Sequence, residues 1–163
     1  MTILEKIIET KKNELEIVKK TISIEDLKKL PNFQKKSISL VNRLKNSSHG
    51  IIAEHKRRSP SKSIINESTN IDQIIHGYDR ADVCGISVLT DKEYFGGSLD
   101  DLRNARNLTN IPILRKEFII DKYQLIEAKA YGADVILLIA ACLNKHQIIN
   151  LSAFAKEIGL EVL

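Results

Sequence analysis

The chain has 163 residues, of which 43% are hydrophobic and 28% charged, and its formal net charge is +4. This length and composition predict one soluble domain with a hydrophobic core and exclude disorder throughout. The mild positive charge fits a protein that binds anionic metabolites. Because the basic cluster Lys56-Arg57-Arg58 has no interleaved aromatic residues, we expect no nucleic-acid partner.

The first 49 residues predict a helical N-terminal extension. Apolar residues within 2–20 recur at helical spacing among Glu and Lys, and the charged start "MTILEKIIETKKNELE" is unlike a signal peptide. Ser23, with Asp26 three residues later, predicts the start of a second helix, which Pro31 ends. A weaker helical stretch covers residues 37–48.

From residue 50 onward, short apolar runs that predict strands alternate with segments that predict helices. The predicted strands cover 50–56, 85–90, 111–118, 133–140 and 160–163. The predicted helices between them cover 70–83, 98–108, 121–132 and 144–159. This alternation is that of repeated βα units, and it predicts a parallel sheet.

No apolar run approaches the ~18 residues of a membrane span, so we expect no membrane partner. Cys84 and Cys142 lie far apart and lack the spacing of metal ligands. Free thiols are typical of a reducing compartment, so we expect a cytoplasmic protein. The histidines form no ligand pattern with carboxylates, and no metal site is predicted.

Two architectures are built from βα units, an open doubly wound sheet and a closed (β/α)8 barrel. A nucleotide-binding open sheet favours GxGxxG after its first strand, whereas "FGGSL" at 95–99 follows the second strand and lacks a third glycine. Polar residues end three strands: Glu54 and Lys56 the first, Thr90 the second and Lys116 the third. Because barrels build their sites at these ends, we predict an α/β, TIM-barrel fold. Residues 50–163 would form its first half, with four βα units and the start of strand five.

The strand-end residues are candidates for acid–base chemistry. Glu54 and Lys56 lie two apart in a strand and therefore share a face, either as part of an active site or as a structural ion pair. Lys116 shares a face with Leu114 and Phe118, and a lysine near apolar walls and another cation is a usable general acid. The alternative is that Arg115 or Lys116 decorates an exposed loop.

Two loops are candidates for ligand binding. In "RRSPSKS", the Ser59 and Ser61 hydroxyls and the restricted backbone at Pro60 could hold a carboxylate or phosphate, or form only a turn. Tyr94 and Phe95 precede two glycines and predict a loop that closes over an aromatic ligand, or packing alone.

The segments "IIAEHKRRSPSK", "ISVLTDKEYFGGSLDDL", "PILRKEFIIDKYQLIEAKAYGADVILLIAACL" and "GLEVL" resemble, in order and separation, the indole-3-glycerol phosphate synthase family of tryptophan biosynthesis. The resemblance implies a (β/α)8-barrel carboxy-lyase with no cofactor. Its small phosphorylated substrate, 1-(2-carboxyphenylamino)-1-deoxyribulose 5-phosphate, would become indole-3-glycerol phosphate with loss of carbon dioxide and water. The whole protein is expected to be a monomer.

The resemblance also implies roles for individual residues. Lys116 corresponds to the general acid for ring closure. Lys56 corresponds to a lysine that contacts substrate and assists later acid chemistry, and Glu54 would keep it charged and oriented. The implied substrate-binding residues are Ser59 near the carboxylate, its neighbour Pro60, and Leu89, Phe95, Phe118 and Leu137 as the apolar seat of the anthranilate ring.

Some positions depart from the family pattern. Ser63 stands where Gly is usual and Glu117 where Asp is usual, and both are expected to be peripheral. The family's general base is a glutamate of strand five whose pattern continues beyond Leu163, and Glu161 lies earlier in that strand. We therefore expect these 163 residues to be an N-terminal portion that alone has negligible activity and self-associates through exposed strand edges.

Two other functions stay open at this point. One is a non-catalytic half-barrel that acts as a folding or association module. The other is a related phosphate-binding barrel enzyme such as phosphoribosylanthranilate isomerase, which would need a cysteine–aspartate acid–base pair rather than Glu54, Lys56 and Lys116.

Overall fold

The computed structural model describes residues 1–66 and 68–163, and its centre is a parallel five-stranded sheet in the order β1-β2-β3-β4-β5. The strands are β1 Ile52–His55, β2 Gly85–Leu89, β3 Ile113–Lys116, β4 Val135–Ile136 and β5 Glu161–Val162. The helices are α1 Ile3–Thr21, α2 Ile24–Lys29, α3 Leu40–Lys45, α4 Ile71–Arg80, α5 Leu99–Leu108, α6 Lys122–Ala130 and α7 Lys145–Glu157, with a 3-10 helix over Ala140–Cys142.

The order of the strands confirms the predicted α/β class with barrel-type connections. Each strand pairs in parallel with the next one along the chain, and a helix crosses between them. Within the described residues the sheet is open between β1 and β5, as in an incomplete barrel. The helices α1 to α3 all precede β1, inside the predicted N-terminal extension.

Strand β4 is shorter than the apolar run that predicted it. The run covers 133–140, but the paired residues are only Val135 and Ile136, each matched to one residue of β3 and one of β5. The chain then turns into the 3-10 helix that begins at Ala140. An apolar run indicates burial, whereas the length of a strand depends on its paired neighbours. The apolar run therefore overestimates the length of β4.

The alternation of side chains separates the hydrophobic core from the opposite face of the sheet. The face towards α4 to α7 carries the main core, in which Ile86, Val88 and Ile113 are at most 1% exposed. The other face carries Ile52 and Leu114, and two residues further along β1 and β3 it carries Glu54 and Lys116. The charged candidates thus share one face, at the carboxyl ends of the strands.

Helix α3 covers the amino ends of the strands on this same face. Leu40 of α3 is buried and packs with Leu114 and Val135. The hydroxyl of Ser39 donates a short hydrogen bond to Glu161, and the Leu40 and Val41 amides donate to the Glu161 Oε2 at 2.9 and 3.1 Å. Because the first N–H groups of a helix lack partners within it, the Glu161 carboxylate caps α3.

Candidate active site

Glu54 is the centre of the candidate site. Its Oε2 accepts a hydrogen bond from the Lys116 Nζ at 2.8 Å, and its Oε1 lies 3.2 Å from the Lys56 Nζ. The hydroxyl of Ser87, on β2, also donates to Oε2, at 2.9 Å. Groups from three neighbouring strands therefore converge on one carboxylate.

The surroundings of Glu54 keep it ionised. Burial would raise the pKa of the carboxyl, but hydrogen bonds from Lys116 and Ser87, the charge of Lys116 and a further bond from Lys56 lower it below its ordinary value. All three charged side chains stay partly open to solvent, with 26% of the Glu54 side chain exposed. The ionised carboxylate therefore lies between two amines and orients both of them.

Two features of this cluster were missed in the sequence. The sequence predicts a pair of Glu54 with Lys56, whereas the contact of Glu54 with Lys116 is the shorter of the two. Ser87 was not singled out, although the strand "GISVL" places it on the same face as Leu89. In the sheet it stands in register with Glu54, so a pairing of β1 with β2 would have revealed it.

Two of the predicted apolar residues form an aromatic pair beyond the charged cluster, which consists of Glu54, Lys56 and Lys116. The ring centroids of Phe95 and Phe118 are 6.0 Å apart and the rings are tilted by 38°. Phe118 follows β3 two residues after Lys116, and Phe95 lies in the loop after β2. Leu89 is buried in register with Lys116, and Leu137 packs against the small cluster on the same face of the sheet.

The loop after β1 is a tight turn at the predicted carboxylate-binding residues. The Ser59 amide donates to the Lys62 carbonyl at 2.8 Å, and the Lys62 amide donates back at 3.1 Å. The Ser59 hydroxyl is 3.2 Å from that of Ser61, and Pro60 is exposed. Among the described residues, no hydrogen bond joins Ser59 or Pro60 to the charged cluster, so their role in binding stays a prediction.

The basic residues after Lys56 hold the loops after β1 and β2 together. Arg57 binds Asp101 with two hydrogen bonds of 2.6 and 2.9 Å and donates to the Gly96 carbonyl at 3.2 Å. Arg58 donates to two further carbonyls of the loop after β2, at 2.8 and 2.9 Å. The guanidinium groups of Arg57 and Arg58 are thus largely engaged within the protein.

Thr90 was predicted to end its strand at the site, and this prediction is wrong. Its hydroxyl donates to the Glu117 Oε2 at 2.8 Å and accepts from the Arg115 Nε at 3.0 Å, in a buried network. The alternation of side chains places Thr90 and Arg115 on the helix side of the sheet, opposite Lys116. Arg115 is 3% exposed and does not decorate a loop, and Glu117 is buried in the same network.

We expect Glu54→Gln to remove an acid-sensitive part of the stability. Because folding lowers the pKa of Glu54, its stabilising effect is complete above the ordinary value of 4.5 and is lost as the pH falls through the lower folded value. The free energy of unfolding, measured with urea between about pH 3 and pH 7, should therefore fall more steeply for the wild type than for the variant. Glu16→Gln, on an exposed position of α1, is the matched control. Parallel curves for wild type and Glu54→Gln would contradict the expectation.

Within the described ranges, no group of three or more His, Cys, Asp or Glu side chains could hold a metal ion. No helix of this part of the chain is long and apolar enough to cross a membrane.

Comparisons with known proteins give one consistent result. A family model described as indole-3-glycerol phosphate synthase matches residues 4–163. Proteins with that name are 48% identical over 161 residues in Bacteroides thetaiotaomicron, 43% over 165 in Aliarcobacter butzleri and 38% over 165 in Neisseria meningitidis serogroup B. Each match covers 99% of this chain but 62, 63 and 64% of the respective relative. The chain thus spans less than two thirds of the length of these relatives.

Proposed function

The chain belongs to the indole-3-glycerol phosphate synthase family, and from this premise we propose that the whole protein catalyses the reaction of that name. The substrate would be 1-(2-carboxyphenylamino)-1-deoxyribulose 5-phosphate, and the products indole-3-glycerol phosphate, carbon dioxide and water. The observation that carries the proposal is the Glu54 carboxylate bound to both Lys56 and Lys116 at the carboxyl ends of barrel strands.

Ring closure is the step assigned to Lys116. The aromatic carbon that bears the carboxylate attacks the carbonyl carbon of the ribulose chain, and the carbonyl oxygen must take up a proton to become a hydroxyl. The Lys116 ammonium donates this proton. Its hydrogen bond to Glu54 supports the assignment, because it fixes the amine at the carboxyl end of β3.

Decarboxylation and dehydration follow. The bond to the carboxylate breaks, and its electron pair returns to the ring system as carbon dioxide leaves. The hydroxyl formed in ring closure then leaves as water, which requires a second acid, and Lys56 fits this role because it shares the Glu54 carboxylate. Dehydration also requires a base to accept a ring proton, and we propose a carboxylate other than Glu161, which caps α3.

The aromatic pair Phe95 and Phe118 would receive the anthranilate ring, with Leu89 and Leu137 completing the apolar wall. Ser59 and Pro60 would bind near the substrate carboxylate. We place the enzyme in the cytoplasm, where free thiols such as those of Cys84 and Cys142 are stable.

A stoichiometric assay of the whole protein tests the function. We expect one carbon dioxide and one indole-3-glycerol phosphate for each substrate consumed, measured by gas release and by the absorbance of the indole ring. The polypeptide of residues 1–163 alone, assayed in parallel, is expected to show negligible turnover. A whole protein that leaves the substrate untouched would favour the non-catalytic alternative, and isomerisation of phosphoribosylanthranilate would favour the other barrel enzyme.

A further inference from the structure

Lys11, in the middle of α1, is almost completely buried. Only 5% of the residue is exposed, and its Nζ lies 2.6 Å from the Glu14 Oε2, 3.0 Å from the Asp91 Oδ2 and 3.3 Å from the Glu117 Oε1. Asp91 and Glu117 are themselves only 1% and 4% exposed. The ammonium of an N-terminal helix is therefore the counter-ion of two buried carboxylates, which follow β2 and β3.

The same two carboxylates bind the backbone at the aromatic pair. The Asp91 Oδ1 accepts from the amides of Tyr94 and Phe95, at 2.7 and 3.2 Å. The Glu117 Oε1 accepts from the Phe118 amide at 2.8 Å. The backbone at each ring of the pair is thus bound, through one hydrogen bond, to a carboxylate that Lys11 contacts.

A second contact joins α1 to the loop that carries Phe95. The hydroxyl of Thr10 lies 3.0 Å from that of Tyr94, in hydrogen-bonding range. Two consecutive residues of α1 therefore hold the loop, one at a side chain and one through Asp91. The loop itself contains Gly96 and Gly97, so its path depends on such anchors more than on its own backbone.

We propose that Lys11 is a positioning residue, which sets the separation and tilt of Phe95 and Phe118 through Asp91 and Glu117 and so tightens the binding of a planar aromatic carboxylate. The choice of ligand rests on the proposed function. The lysine does not touch the ligand, and its effect is on binding rather than on proton transfer.

Electrostatics explain why the separation and tilt of the two rings depend on the charge of Lys11. Burial alone would lower the pKa of Lys11, but Glu117, Glu14 and Asp91 together raise it above its ordinary value, so the lysine is charged. Without it, Asp91 would lose this ion pair in a buried site, and Glu117 would keep only its more distant partner Arg115, at 3.7 Å. If the two carboxylates moved apart or drew in water, the backbone at both rings would move. Each carboxylate accepts a hydrogen bond from the amide of one ring residue.

The test compares Lys11→Met with Lys12→Met in the whole protein. Lys12 is the next residue of α1, and its side chain is 58% exposed beside Glu9. For Lys11→Met we expect the Kd for anthranilate, followed by the ligand's own fluorescence, and the KM for substrate to rise on the order of tenfold, with kcat changed less than about threefold. Lys11→Arg, which keeps the charge, should restore most of the affinity, and Lys12→Met should match the wild type.

A Lys11→Met protein that is less stable but keeps the wild-type Kd and KM would overturn the proposal, because a purely structural lysine predicts that result. If Lys11→Met does not fold, Asp91→Ala removes the link between Lys11 and the Phe95 amide, and an unchanged Kd in that variant would also overturn it. Absence of turnover by the wild type would defeat the proposed function instead, while the Kd for anthranilate still decides the role of Lys11.

Discussion

Lys116→Met is expected to lower kcat of the whole protein by about 10²- to 10⁴-fold, the range that a general acid contributes. Methionine is similar in length but carries no proton, so ring closure would have to proceed without protonation of the carbonyl oxygen. Glu54 would keep its contacts with Ser87 and Lys56, and the substrate-binding groups would stay in place. We therefore expect KM to change less than about tenfold. Steady-state kinetics, followed by single-turnover measurements, separate these two effects.

The matched control is Lys145→Met, on an exposed position at the start of α7. It removes the same charge at an exposed position that contacts none of Glu54, Lys56 and Lys116, and it should leave both constants near the wild-type values. A Lys116→Met enzyme that keeps kcat within a few-fold of the wild type would remove Lys116 from the chemistry and leave Lys56 as the candidate acid.

Arg115→Met is expected to have the largest effect on stability, a loss of about 3–5 kcal/mol in the free energy of unfolding. The guanidinium is buried and contacts the Glu127 Oε2 at 2.7 Å, the Thr90 hydroxyl at 3.0 Å and the Gln124 carbonyl at 2.9 Å. Its removal leaves Glu127, itself 6% exposed, as a buried carboxylate without this partner. Urea unfolding at neutral pH measures the loss.

Two further variants make this expectation specific. Arg103→Met removes an exposed arginine that is paired with Asp100 three residues away, and it should cost less than about 1 kcal/mol. The double variant Arg115→Met/Glu127→Met removes both buried charges and should recover much of the lost stability. If the double variant is as unstable as the sum of the two single variants, the pair is not the source of the effect.

The sequence was informative wherever the deciding contacts are local. Ser23 and Asp26 are three residues apart, and the Ser23 hydroxyl does accept from the Asp26 amide at the start of α2. The alternation of side chains in a strand likewise placed Glu54 on the face of Lys56, and the two do form an ion pair. Periods of two and 3.6 residues follow from backbone geometry alone, so these features need no knowledge of the fold.

Contacts between distant segments were beyond the sequence. The helical period places Lys11 on the face of Ile7 and Leu15, but it does not reveal the partners of the amine there, because the carboxylates that bury Lys11 follow β2 and β3. The ion pair of Arg57 could not be predicted for the same reason, since Asp101 belongs to α5. The position of Thr90 directly after a strand predicts that it lies at the site. The face of the sheet on which its side chain lies, however, depends on the residue at which the strand ends.

The cap that Glu161 provides to α3 has a consequence for the order of folding. Ser39 and Glu161 are 122 residues apart, so α3 leaves the ribosome on the order of ten seconds before its capping carboxylate has been synthesised. A six-residue helix is too short to persist alone in water. The segment around α3 must therefore remain without its final partner while β1 to β4 assemble. The amino ends of the strands, which α3 covers, are then closed late in folding. This closure couples the first fifty residues of the chain to the formation of its fifth strand.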